Sequence, residues 1–413
     1  MKRIIVLILL VASVTTVNAQ KRNRTSAFNY HRNGKLDKAK EYIDKALDHE
    51  QTMNDARTWY YAGNIYLDIY RSDDPEVKNL DKNALDKSYN AYMKTLELDE
   101  DKEYFNELIP RILLVGEEYF NKGANNFNQG LEANKVNKES EARQHFNNAV
   151  TAFERAIEAY ARVGSTDTTS YYYMAYAADQ AGDHQKAEKN YLKLVNEFNY
   201  ETPAIYNSLF NIYLQEKNDT ARALEFVREG RTKFPNDLAL LIEETNVYLA
   251  RNETDKAMEN LNKAMEIDPD NPTIFFAVGS IIDKEVLGDT TKTTEVRMNA
   301  FERAKNAYET AIEINPEYFD PIYNIGAMYV NRAASISEEA NQLPLEEQEE
   351  YERLTAEADS LLKVSLPYLE KAHEIMPDDL NTLIALKEIY TRLNMMEQLQ
   401  EINAKLEDRQ GGN

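Results

Sequence analysis

A register that returns along almost the whole chain constrains the fold more than any other feature. A large ring or aliphatic residue is followed about four positions on by a small residue, and three beyond that by Tyr or Ile. A second small residue then opens another apolar stripe, which ends near a proline or an acidic turn. Leu241, Thr245, Tyr248, Ala257, Leu261, Ala264 and Pro269 read in that order, and Phe275, Gly279, Ile282, Ala304, Tyr308, Ala311 and Pro316 repeat it. One such period is a pair of helices too small to bury its own apolar face, so successive pairs must stack. A chain of 413 residues is long for one compact core, whereas a stack grows by neighbour contacts without that limit.

The same order runs through the remaining segments. First helices carry Tyr30, then Trp59/Gly63/Tyr66, Phe120/Ala124/Phe127, Tyr171/Ala175 and Tyr206/Tyr213. Second helices answer with Ala39/Ile43/Ala46, Ser88/Tyr92/Thr95, Ala149/Phe153/Ala156, Ala187/Tyr191/Leu194 and Ala223/Val227/Gly230. Ile322/Gly326/Tyr329 with Ser365/Leu369/Ala372/Pro377 follow, then a degenerate unit from Leu383 through Tyr390 to about Leu406. Small residues let two antiparallel helices approach, and rings from the next hairpin fill the groove between them, so Trp59 and most tyrosines are read as core. These residues resemble the tetratricopeptide-repeat pattern. The resemblance implies an all-α fold, a right-handed α-solenoid of about nine antiparallel helix pairs over residues 20–408, with the last pair a degenerate cap. Thr245 and Phe210 depart from the pattern where a small first-helix residue is usual.

The ends are read separately. Met1-Lys2-Arg3, the apolar run Ile4 to Val14 and Val17-Asn18-Ala19 have the order of a secretory leader, residues 1–19, cut before Gln20. The run is too short and too interrupted by Ser13, Thr15 and Thr16 to favour a permanent span. With no cysteine there is no disulfide, no catalytic thiol and no lipoprotein attachment point. A soluble periplasmic protein is expected, with an uncleaved N-terminal membrane anchor as the alternative, and residues 409–413 are expected as a disordered tail. The 48 Lys and Arg against 71 Asp and Glu leave a net charge of −23. Such a surface repels phosphate backbones and anionic headgroups, which disfavours nucleic acid and direct membrane binding of the mature chain.

Spacing within the repeats carries a second message. From Tyr248 to Ala257 is nine residues, but Tyr66 to Ser88, Phe127 to Ala149 and Ile282 to Ala304 each take twenty-two, and Tyr329 to Ser365 takes thirty-six. An excess shared between two antiparallel arms keeps the apolar stripe inward only in about whole turns, so lengthened hairpins are expected at all four places. In the longest, Leu343-Pro344 should end the outgoing helix and Glu346, Glu347, Glu349 and Glu350 should favour the start of the returning one. Pro367 should kink or restart that helix.

A ligand groove is expected on the first-helix face. Directly after the small first-helix position stand Asn64, Asn125, Asn211 and Asn246, with Tyr60, Tyr172, Tyr176, Phe276 and Tyr323 beside them. An amide offers donor and acceptor together, so such a row can pair with an extended peptide backbone while rings grip side chains. The resemblance implies the same, because tetratricopeptide arrays commonly bind peptides through Asn at that place. The Lys and Arg with which family members clamp a C-terminal carboxylate are absent from the corresponding positions. Every Asp followed by Ser or Thr continues with Ala, Leu or Thr, which looks like a bacterial envelope O-glycosylation signal and marks Thr168, Thr220, Thr290 and Ser360 as acceptors. The same residues suit ordinary helix N-capping.

Nothing in the chain reads as catalytic, cofactor-binding or metal-binding. His31, His49, His145, His184 and His373 are dispersed, no glycine-rich phosphate loop follows a strand, and Asp268-Pro269-Asp270-Asn271-Pro272 reads as a helix stop and N-cap. The expected function is a non-catalytic scaffold for other envelope proteins or peptides. The alternative is a helical glycan- or nutrient-binding envelope protein.

Overall fold

Nine helix pairs succeed one another in the computed structural model, which describes residues 22–284 and 293–410, with side chains placed as far as Glu407. They are α1 (residues 22–32) with α2 (Leu36–Leu47), α3 (Ala56–Arg71) with α5 (Ala84–Leu98), and α6 (Phe105–Lys135) with α7 (Glu139–Arg162). Next come α8 (Thr168–Gln180) with α9 (His184–Phe198), α10 (Pro203–Asn211) with α11 (Thr220–Lys233), and α12 (Leu238–Ala250) with α13 (Thr254–Ile267). The last three are α14 (Pro272–Ile282) with α15 (Thr294–Ile314), α16 (Phe319–Asn341) with α17 (Gln348–Ile375), and α18 (Leu380–Arg392) with α19 (Met396–Gln410). Helix α19 enters the segment expected as a tail. The leader lies outside the described residues.

Local chemistry explains where the helices begin and turn. Asp55, Asp167, Asp183, Asp219, Asp237, Asn271 and Asp379 each cap a helix by accepting a backbone N–H near its start, which satisfies a donor the helix leaves open. Six of the turns from first to second helix pass through a left-handed residue: Gly34, Asn137, Gly182, Asn218, Asn252 and Asn394. Glycine and asparagine reach that conformation most readily, and it allows a backbone N–H to return to a carbonyl five residues back. Lys35 donates so to Tyr30 at 2.9 Å, Glu253 to Tyr248 at 2.8 Å and Met395 to Tyr390 at 2.8 Å.

The fifth pair breaks this rule by one residue. Asp219 N donates to Tyr213 O at 2.8 Å, a span of six. The anchors agree, since Tyr213 to Ala223 is ten residues where Tyr248 to Ala257 is nine. The extra residue is taken up as a π-helical turn over Ile212–Glu216, directly after α10.

The chain divides into two compact units, one reaching Ile205 and including Gln215–Asn218, the other formed by Tyr206–Leu214 and the residues from Asp219 onward. In the first, one core joins pairs one and two through Ala39, Ile43, Ile65 and Tyr66, and a second joins pairs two and three through Tyr92, Leu108, Tyr119 and Ala156. In the second, Leu241, Leu261, Ile274, Phe301, Tyr308 and Met328 form one core, and Leu362, Leu369, Leu383, Leu386 and Ile402 another. Every such core draws on sequential pairs, as stacking requires.

The long insertions resolve in different ways. In the third and eighth pairs both arms are extended, with 31 and 24 residues in α6 and α7 and 23 and 28 in α16 and α17. Leu343 and Pro344 lie in the turn after α16, and Glu349 and Glu350 occupy the first turn of α17. In the seventh pair α15 has 21 residues, while residues 285–292 lie outside the described range. The second pair corrects the expectation of a lengthened hairpin. Helix α3 stops at Arg71, Asp74 caps the four-residue α4 (Pro75–Lys78) with Pro75 at its start, and Asp81 accepts from Lys87 Nζ at 2.6 Å in the loop before α5. At Pro367 the helix is not restarted, because α17 runs continuously through it.

Close approach within the pairs rests on glycine against rings. The Gly63 position meets the Tyr92 ring, and a Cβ on Gly279 would lie 2.6 Å from Tyr308. The third pair extends this into a ladder of heptad spacing: a Cβ on Gly116 would stand 3.1 Å from Tyr160, on Gly123 2.7 Å from Phe153, and on Gly130 2.6 Å from Phe146. Any side chain at these positions would separate the helices.

Candidate functional site

Within each unit first helices of successive pairs touch directly, α6 with α8 in the first and α14 with α16 and α16 with α18 in the second, so their outward residues share a face of that unit. Register on that face is set by the small residue opposite a second-helix side chain. In the second pair Gly63 faces Tyr92 and its carbonyl accepts from Ser88 Oγ at 2.9 Å; in the eighth, Gly326 faces Leu369 and accepts from Ser365 Oγ at 3.0 Å.

The four asparagines do not form a uniform row. Asn64 is only 8 % exposed, and its Oδ1 accepts from the core Tyr92 hydroxyl at 2.9 Å. Packing and not an open groove occupies it, which corrects the expectation of Asn64 as a groove residue. Asn125 is exposed but stands one position off the common register, because Gly123 and not Ala124 faces Phe153. Asn211 is half-buried and donates through Nδ2 to Asn207 Oδ1 at 2.9 Å. Asn246 is exposed and bonds Glu243, whose carboxyl is held above its usual range by burial, with the Asn246 bond opposing.

The rings fall into separate groups. Tyr60 is half-buried, lies 4.8 Å from the Tyr104 ring and donates to Glu107 Oε2 at 2.6 Å. Its phenol is pushed up by burial and then by Glu107. Tyr172 and Tyr176, 6.4 Å apart, belong to a larger cluster with Phe120, Phe127, Phe153, Tyr173, Tyr191 and Tyr200. Burial pushes the Tyr172 phenol up, and Tyr176, Tyr173 and Tyr200 push it further. In the second unit Phe276 packs 5.4 Å from Tyr318 and 5.9 Å from Tyr308, and Tyr323 stacks on Phe319 at 5.9 Å. The sequence reading missed Tyr173, Phe120, Phe127 and Tyr200 as members of a ring-lined face. The run Tyr171-Tyr172-Tyr173 followed by Tyr176 was the available signal, since three consecutive tyrosines on one helix cannot all point inward.

Two other polar features lie off this face. Buried Glu244 on α12 accepts from Tyr248 Oη at 2.7 Å, from Asn260 Nδ2 at 3.1 Å and from Arg231. Burial alone would push its carboxyl up, but those bonds and the Arg231 charge outweigh it and hold the group below the usual range. At the expected O-glycan acceptors, Thr168 and Thr220 are first residues of α8 and α11, with Asp167 and Asp219 acting as caps. Ser360 is exposed in the interior of α17, where its neighbour Asp359 accepts from Arg392 Nε at 2.9 Å. Thr290 lies outside the described residues. Among the described residues no helix is long and apolar enough to cross a membrane.

Family models match within the second unit, a "TPR repeat" over residues 246–282 and a "Tetratricopeptide repeat" over residues 295–318. No curated protein matches the chain. Similar solved structures include the MamA protein, at 16 % identity over 49 % of this chain and 88 % of that one with a TM-score of 0.35. The Cut9–Hcn1 hetero-tetramer of APC/C matches at 13 % identity over 85 % and 59 % with a TM-score of 0.39. A TPR repeats protein from Bacteroides fragilis matches at 14 % identity over 65 % and 98 % with a TM-score of 0.25. The matched segments hold the order of small and ring residues first seen from Leu241 to Pro316, and that order recurs pair by pair through the described chain: the chain carries tetratricopeptide repeats.

Proposed function

We propose that the protein is a non-catalytic interaction scaffold of the bacterial cell envelope that holds an extended segment of a partner protein on its first-helix face. Tetratricopeptide repeats are in general binding scaffolds, and one observation supports that use here. The first helices carry amides and rings that are not fully buried, with Asn246 exposed and Asn211, Tyr172, Tyr176, Phe276 and Tyr323 half-buried. Half-buried rings offer apolar area at low entropic cost, and amides pair with a peptide backbone of any sequence. Export rests on the order of charge, apolar run and small residues in the first nineteen positions. N-terminal sequencing of the native protein should find Gln20, and a retained Met1 would point to an anchored form.

The binding test is a double substitution. Asn211→Ala with Asn246→Ala removes two hydrogen-bonding groups of about 0.5–1.5 kcal/mol each, so a partner captured from envelope extract should bind roughly tenfold more weakly. The melting temperature should hold or rise, because Ala is the better helix former. Unchanged binding would remove this face as the site and shift attention to the tips of the α6–α7 and α16–α17 hairpins.

A further inference from the structure

The turn of the first pair is built differently from those that place an asparagine in the left-handed position. In the third, sixth and ninth pairs the residue after that asparagine returns its N–H five residues to a helix carbonyl: Lys138 to Ala133 at 3.0 Å, Glu253 to Tyr248 at 2.8 Å, Met395 to Tyr390 at 2.8 Å. In the first pair Gly34 takes the left-handed place and Asn33 precedes it. This is the chain's one asparagine–glycine step. Both residues are exposed, no hydrogen bond holds the Asn33 side chain among the described residues, and a Cβ built on Gly34 would meet nothing within 4 Å. The Gly34 N–H donates to His31 O at 2.9 Å, a three-residue bond at the frayed end of α1, and such ends open locally at little cost. Charge acts in the same direction. No carboxylate occurs from Gln20 to Leu36, and exposed Arg32 and Lys35 flank the step, so nearby cations favour loss of the Gly34 N–H proton.

We infer that Asn33 is a site of spontaneous deamidation and that its isoaspartyl product loosens the first pair. The Gly34 nitrogen, having lost its proton, attacks Cγ of Asn33. A five-membered imide closes as the Cγ–Nδ2 bond breaks, and the amide nitrogen takes up a proton and leaves as ammonia. Water then adds to one imide carbonyl and breaks its bond to the Gly34 nitrogen, giving aspartate from opening at Cγ and isoaspartate from opening at the main-chain carbonyl. Glycine permits the closure because no Cβ crowds the attacking nitrogen. Both products put a negative charge at the C-terminal end of α1, where the helix dipole disfavours one. Isoaspartate also adds one backbone atom inside the turn that Lys35 N closes on Tyr30 O at 2.9 Å. Tyr30 stacks on Tyr42 of α2 at 5.3 Å, and Ala27 of α1 is fully buried in the core that holds Ala39 and Ile43. Disturbing the turn therefore pulls α1 from its seat on α2, and in a stack that loss stays near its source.

The test is incubation of the purified chain over weeks at neutral pH and physiological temperature, followed by peptide mapping. Peptides holding Asn33 should gain one dalton and accept methyl groups from a protein-isoaspartyl methyltransferase. Asn33→Gln, which would have to close a six-membered ring, should show neither change. Hydrogen exchange of the aged protein should then quicken in α1 and α2 while α8 and α9 exchange as in fresh protein. Asn33→Asp carries the charge without the added backbone atom, and should quicken exchange less. The deamidation site is overturned if Asn33 stays amidated over a period in which a synthetic peptide of residues 29–37 converts, because the folded turn would then protect it. Methyl label persisting in this segment of Asn33→Gln would overturn it equally. Aged protein that carries the isoaspartate yet exchanges in α1 and α2 as fresh protein does would overturn the loosening.

Discussion

A carboxylate buried among apolar helices is stable only when every lone pair is answered, and Glu244 shows how the second unit achieves it. Tyr248, Asn260 and Arg231 converge on its two oxygens, and Arg228 Nε adds a longer contact at 3.4 Å. Removing the carboxylate leaves Arg231 in place with a buried Nε that already lacks a partner. Glu244→Ala should therefore destabilise the second unit by about 3 kcal/mol at neutral pH, read by chemical denaturation. The pH dependence follows from the direction of the shift. The folded carboxyl titrates below its unfolded value, so its contribution is complete above the ordinary carboxylate range and is lost as pH falls through the lower folded value. Wild-type stability should fall between pH 5 and pH 3 more steeply than that of Glu244→Gln, and parallel pH profiles would show that Glu244 is not the group responsible. The asparagine row teaches a related lesson at single residues. Gly123 and Ala124 are both small, so the sequence pattern alone could not decide which one faces a ring. Only the Phe153 side chain across the pair settles it, and with it the place of Asn125.

Helices α6, α7, α16 and α17 are long because their apolar residues keep helical spacing throughout the insertions, and that part was legible. The second pair defeated the same reasoning. Its thirteen extra residues match those of the third pair in number, yet Ser72-Asp73-Asp74-Pro75 stops α3 and starts α4, since the residue before a proline avoids helical geometry and Asp74 is a good cap. The π turn after α10 was equally unreadable, because a single added residue lies within the scatter of any spacing pattern and becomes visible only when the turn's hydrogen bond spans six residues. The restart expected at Pro367 is absent for a different reason. The proline is exposed on α17, so the missing N–H and the ring fall on the solvent side and the helix continues. Such a proline still forfeits a backbone bond, so Pro367→Ala should stabilise the second unit by about 1–3 kcal/mol and raise its melting temperature. No change would mean that the backbone carbonyl left without that bond is fully satisfied by water.

At the scale of the molecule, stacking makes stability a sum of pair and neighbour terms, and the main helix contacts of each unit lie within a pair or between neighbouring pairs. Surface ion pairs add little to that sum. Many are exposed pairs three or four residues apart, such as Lys45 with Glu41 and Arg353 with Glu350, of a kind that solvent screens and salt weakens further. The glycine ladder of the third pair is a more sensitive point, and it offers a test of how far damage travels. Gly123→Ala places a methyl 2.7 Å from the fully buried Phe153 ring, at a cost of about 1–3 kcal/mol. The gain from Ala as a helix former is about 1 kcal/mol, so the variant should be destabilised. In a single cooperative core that loss would appear everywhere, but in a stack it should remain near its source. Hydrogen exchange followed by mass spectrometry should show faster exchange in residues 105–162 and their immediate neighbours α5 and α8, while peptides from α16 to α19 exchange as in the wild type. Uniform loss of protection across both units would show that the whole array unfolds as one, and that the neighbour description fails for this chain.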